Sequence, residues 1–159
     1  MLKNNSLLGL NLSPRVMMYL DNQPILTASM FSHSGLDVPL LIEQNGNHWR
    51  KIMSIYAKLM YQHGSWQAYR DTELLTDKES LSFESHLNSK AIVHLVCGKA
   101  AQARLGLDLS AFDMLLGSDR LFAKGNILCT PYPDYRQFPN REIEIARVWL
   151  RDNFESLFR

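Results

Sequence analysis

Three polar segments each follow an apolar run, and they hold the residue types that could do chemistry: Asp21-Asn22-Gln23-Pro24, Cys97-Gly98-Lys99, and the stretch from Thr130 to Asn140. The first segment offers a carboxylate and an amide, Asp21 and Asn22. Asn22 is also a ligand-binding candidate. Gly98 and Lys99 could present backbone N–H groups at a helix start beside a full positive charge, a generic site for phosphate or carboxylate. The full phosphate-loop pattern is missing, because no glycine stands five residues before Gly98 and Ala100 replaces the Ser or Thr. An ordinary strand-to-helix turn explains the same residues.

The third segment is the most informative. Pro131, Pro133 and Pro139 stiffen it, so Tyr132, Tyr135 and Phe138 are presented at reduced ordering cost, with Asp134 and Arg136 as polar contacts. Aromatic rings beside a cation stack on nucleobases or bind another protein. The plainer alternative has the rings covering the end of a sheet and Arg136 pairing with a carboxylate. Tyr132, Tyr135 and Arg136 complete the ligand-binding candidates.

Cys97, at the same helix start, is a candidate nucleophile if the helix lowers its pKa, and otherwise a small core hydrophobe. Cys129 reads as core. The two cysteines form no C-x-x-C pair, and His33, His48, His63 and His86 lack metal-ligand spacing. His94, inside an apolar run, reads as structural. No metal and no cofactor is expected.

The elements that must position these groups follow from the hydrophobic pattern. Val16–Leu20, Ala91–Cys97 and Gly125–Cys129 read as buried strands. Trp49, Ile52, Met53, Tyr56, Leu59 and Met60 recur at helical spacing, which predicts a helix near 48–62 capped by Asn47 and stopped before Gly64. A small-residue helix is expected over 100–105. A final helix, capped by Asn140, is expected to bury Ile145, Val148, Trp149 and Leu150, with Phe154, Leu157 and Phe158 extending that face. Residues 65–90 suggest one or two short helices, residues 25–39 a loop or short helix, and residues 1–14 an irregular lead-in. Strands alternating with helices predict one α/β domain over 1–159, a three-layer α/β/α sandwich on a short, mostly parallel sheet. In such sheets ligands bind beyond the carboxyl ends of the strands, where the three polar segments fall.

The run Val93-His94-Leu95-Val96-Cys97-Gly98-Lys99-Ala100-Ala101-Gln102, followed by Ile127-Leu128-Cys129-Thr130-Pro131-Tyr132-Pro133, resembles the carboxyl-terminal half of the uracil-DNA glycosylase superfamily. The resemblance covers about residues 91–150. It implies a loop that contacts DNA and stabilises a leaving base, and an earlier loop that positions water, with Asp21 or Asn22 as counterpart and hence as the candidate catalytic groups. Tyr132 stands where that family has histidine, Asp134 replaces its serine, and the glycine of the earlier loop is absent. The whole chain also resembles a small bacterial family of unknown function.

Composition bounds the rest. The chain has 159 residues, 46% hydrophobic and 21% charged, which suits one folded domain. Seventeen cations against sixteen anions leave +1 at pH 7. The charge is spread evenly: two cations and two anions over 1–39, six and six over 40–90, five and four over 91–140, four and four over 141–159. No basic arm exists for extended nucleic-acid binding. No segment has the length of a membrane span, and two unpaired cysteines suit the cytoplasm. The leading expectation is a glycosylase-like domain that binds a nucleobase, nucleotide or nucleic-acid end, with or without catalysis. The alternative is a protein-interaction module or homodimer that uses the 130–140 loop.

Overall fold

The computed structural model describes residues 7–8 and 13–159, so most of the expected lead-in lies outside the described residues. In chain order the elements are β1 (Leu7–Leu8), β2 (Val16–Tyr19), a 3-10 turn (Ala28–Met30), β3 (Phe31–Ser32), β4 (Gly35–Leu36), α1 (Val38–Asn45), α2 (Asn47–Met60) and α3 (Trp66–Thr72). They continue with β5 (Glu79–Ser82), β6 (Val93–Cys97), α4 (Lys99–Arg104), a 3-10 turn (Leu109–Ala111), β7 (Asp113–Met114), β8 (Phe122–Lys124), β9 (Ile127–Thr130), α5 (Asn140–Asn153) and a closing 3-10 turn (Glu155–Phe158).

The main sheet runs β1-β5-β2-β6-β9-β8-β7. Its four central strands are parallel and its edge pairings antiparallel. The central strands are buried on both faces, which accounts for their near-continuous apolar runs. Val16, Met18, Val93, Leu95 and Leu128 face a layer built by α1, α2, α3 and α5. Met17, Tyr19, Val96 and Cys129 face a thinner layer of Ala101 on α4 and the chain around Leu105, Leu109, Phe112 and Phe122. The architecture is α/β with helices on both faces, heavily on one and lightly on the other.

Several local expectations are corrected. Residues 65–90 contain one short helix, α3, and a central strand, β5, which escapes the hydrophobic pattern because Glu79, Ser80 and Ser82 are buried polar residues. Glu79 accepts from Tyr69 Oη and from Leu75 N at 3.2 Å, and Tyr56 Oη donates to Ser80 O at 2.9 Å. These tertiary partners offset the desolvation that hydropathy counts against such a strand. Asn47 and Asn140 are the first helical residues rather than caps, and Asn140 Oδ1 instead accepts from Lys58 Nζ at 2.9 Å. Val148 is 47% exposed. The α5 face that packs inward is Ile143, Ala146, Arg147 and Leu150.

On the thin side, Asn88 N donates to Tyr19 Oη at 2.8 Å, and that hydroxyl lies 2.7 Å from His94 Nδ1. Burial lowers the His94 pKa and so favours the neutral imidazole, whose Nδ1 can accept the phenol's proton. A folded pKa below the unfolded value means the unfolded chain binds more protons. The contribution of neutral His94 is therefore complete above the ordinary value of 6.5 and is lost as pH falls below it. Urea unfolding between pH 7.5 and 5.5 will show the wild type losing stability more steeply than His94→Gln, by at most about 1.4 kcal/mol per pH unit. Equal pH slopes would overturn this assignment.

Candidate functional site

The parallel register places Tyr19 beside Val96, and Val96 beside Cys129. The chain leaves all three strands at one end of the sheet, and the loops enclose a cleft of about 740 Å³. Asp21, Asn22, Gly98, Lys99, Tyr132 and Arg136 line it, so six candidates from three distant segments share one cavity. Tyr135 does not join them; it stands on the far side of the 130–140 loop, between Lys51 and Lys58. Phe138 is fully buried in the helical core.

The floor of the cleft is hydrogen-bonded backbone. Gly98 N donates to Thr130 O at 2.9 Å, and buried Gln102 donates through Nε2 to Val96 O and Thr130 O at 3.3 and 3.0 Å. Gly98 has φ +91°, and a Cβ there would meet Tyr132 Cδ1 at 3.2 Å. The glycine serves the turn and the close approach of Tyr132 together. Tyr132 is fixed at its far end as well. Asn22 Nδ2 donates to its hydroxyl at 3.3 Å, and His48 Nε2 lies 2.8 Å from the same oxygen with its ring stacked 5.6 Å away, centroid to centroid. His48 thus lies against Tyr132 from outside the cleft, and Tyr132 itself lines it. Asp134 shapes the loop itself, accepting from Arg136 N and Gln137 N at 2.9 Å and from Gln137 Nε2 at 2.8 Å. These hydrogen bonds hold its carboxyl below the ordinary range, although partial burial acts against them.

Lys99, Arg120 and Arg136 bring three cations to the cleft. Asp21 is bound to Arg104 at 3.0 Å, and Arg104 also donates to Leu20 O and Glu84 O, so that carboxylate is held against the β2 end. Asp119 lies 3.9 Å from Arg120, which donates to Gln137 O at 3.0 Å. Among the described residues, no protein group bonds the side chains of Lys99 or Arg136. Leu109 and Phe122 supply the apolar part of the lining. The Cys97 thiol is buried and its pKa is pushed up to about 12 by burial, so it stays protonated at neutral pH and packs as a core residue.

His48, Arg120, Leu109 and Phe122 escaped the reading of the sequence. His48 sits one residue into α2 and 84 positions from Tyr132, and no local pattern marks it. Among the described residues, no group of three His, Cys, Asp or Glu side chains could hold a metal ion, and no helix is long and apolar enough to cross a membrane.

Residues 8–151 match the model of a family of unknown function, DUF6942. No curated protein and no solved structure matches the chain.

Gly98→Ala would force a side chain into a glycine-only conformation and against the Tyr132 ring. A loss of about 2–4 kcal/mol in urea unfolding is expected from backbone strain plus overpacking. A loss below about 0.5 kcal/mol, the size of an ordinary surface change, would refute the close approach.

Proposed function

We propose, for a chain that belongs to the DUF6942 family of unknown function, that the cleft binds a nucleobase-bearing anion: a nucleotide or the end of a nucleic acid. One observation carries this reading. Two unpaired cations, Lys99 and Arg136, and a third, Arg120, meet an apolar wall in a cavity of nucleotide size at the carboxyl end of a parallel sheet. In this reading the phosphate lies among the cations, where charge-assisted hydrogen bonds are strongest, and the base lies along Leu109 and Phe122. Asn22 offers its amide oxygen to the base edge, since its Nδ2 is committed to Tyr132.

The role is binding rather than a standard glycosylase reaction. Asp21 is tied to Arg104, Tyr132 stands in place of the base-stabilising histidine, and its hydroxyl is engaged with Asn22 and His48. The glycosylase-like relationship rests on the order of strands and loops in the sequence. A cytoplasmic setting suits two free, buried thiols.

Calorimetric titration with uridine 5′-monophosphate tests the reading. Binding is expected, with uridine weaker, and Lys99→Gln and Arg136→Gln are each expected to weaken the nucleotide by about 10-fold, one charge-assisted hydrogen bond apiece. The absence of heat at millimolar nucleotide, or equal affinity for uridine, would sink it. Release of free uracil from uracil-containing DNA would overturn the non-catalytic assignment.

A further inference from the structure

We infer that the face beside the cleft, formed by α2, α3 and the outer side of the 130–140 loop, binds single-stranded nucleic acid, so that the cleft takes one nucleotide of a strand. This rests on the nucleotide reading of the cleft and names the class of its ligand.

The face interleaves cations with aromatic rings. Lys51 Nζ and Lys58 Nζ lie 5.8 and 5.2 Å from the centre of the Tyr135 ring, and Lys58 also lies 4.8 Å from that of Trp66. Arg70 follows at 5.4 Å from the same indole. Tyr135 is 44% exposed, and a hollow of about 380 Å³ opens between Lys58, Tyr135, Pro139 and Asn140. The whole of α2 carries Arg50, Lys51 and Lys58 and no carboxylate.

The nearby acids offset part of this charge. Asp71 is paired with Arg70 at 2.8 Å. Asp134, whose oxygens accept from the amides of its own loop, keeps its negative charge within reach of Lys51. Lys58 has no carboxylate within salt-bridge distance among the described residues, so a polyanion would find at least that lysine free of an acid beside Tyr135.

Two features favour a nucleic-acid strand over an acidic peptide. Rings alternating with cations match the alternation of bases and phosphates, and unpaired bases have the free faces that stacking on Tyr135 and Trp66 needs. The face is also continuous with the cleft, because Tyr135 and Arg136 are adjacent residues on opposite sides of one loop. A backbone that leaves Arg136 crosses only the crest of that loop to reach Lys51 and Lys58. On arrival the phosphates draw the ammonium groups off the ring and free it to stack.

The test compares a labelled ten-residue oligo-uridylate, followed by fluorescence anisotropy across salt concentration, with calorimetry of uridine monophosphate. The oligonucleotide is expected to bind at least tenfold tighter than the mononucleotide. The double variant Lys51→Gln/Lys58→Gln should lower the slope of log affinity against log salt by about 1.4, some 0.7 per lost phosphate contact. Tyr135→Ala should weaken the oligonucleotide by about tenfold, and both variants should keep wild-type affinity for the mononucleotide. Lys58 also bonds Asn140, so Lys51→Gln alone, expected to change the slope by about 0.7, serves as the variant that removes no hydrogen bond. An oligonucleotide that binds no tighter than the mononucleotide, an unchanged salt slope, or equal competition by poly-glutamate of matched charge would overturn the inference. Loss of oligonucleotide binding in the lysine variants, with no mononucleotide binding to wild type, would support the face and remove the cleft reading.

Discussion

The cleft depends on a backbone constraint, the parallel register that sets Tyr19, Val96 and Cys129 side by side across β2, β6 and β9. Parallel strands deliver their following loops to the same end of a sheet, so residues 21–22, 98–99 and 130–136 converge without contacts in sequence. Gly98 N and Gln102 then hold the ends of β6 and β9 together below the cleft. The polar groups above this floor cost little to arrange, because the ladder has already ordered the backbone that carries them.

The unequal layers explain why the cavity opens where it does. The helical side is closed by α5, where buried Arg147 donates to Lys58 O and Leu59 O at 3.1 Å and also to Tyr61 O, and stacks over the Tyr61 ring at 4.0 Å. Those carbonyls end α2 and would otherwise be unpaired and partly buried. The opposite end of α2 carries His48 to Tyr132. One helix thus joins the packed core to the rim of the cleft. The other face of the sheet has only six-residue α4 and irregular chain, and Leu109 and Phe122 are left half-buried as a wall facing the cavity.

What the sequence revealed follows the reach of its signals. Continuous apolar runs exposed β2, β6 and β9, and helical spacing exposed α2, because both arise from burial within a few neighbouring residues. β5 stayed hidden because its core partners, Tyr56 and Tyr69, lie on other elements and satisfy polar atoms that hydropathy scores as surface. The antiparallel strands β7 and β8, two and three residues long, are too short to carry a period. At the site, loop identity was legible from proline, glycine and strand order. The opposite orientation of Tyr135 and Arg136 was not, since it depends on the turn that Asp134 imposes through Arg136 N and Gln137 N.

Charge shows the same limit most plainly. Along the chain, cations and anions nearly cancel within every segment, which argued against a basic arm for extended nucleic-acid binding. Folding separates what the sequence balances: Glu79 is taken into the core against Tyr69, Glu142 is buried and bound by Ser118 and Arg141, and Asp21 is tied to Arg104. Lys58, Lys99 and Arg136 receive no such carboxylate partner among the described residues, Lys51 has Asp134 nearby without a salt bridge, and the 130–140 loop gathers the four along its two sides. Burial takes bases as well as acids, Lys78 and Arg147 beside Glu79 and Glu142, so a net charge of +1 is compatible with a locally cationic surface through where the remaining charges are placed and paired. The neutral total constrains long-range steering, while the local surplus governs what can be held once it arrives.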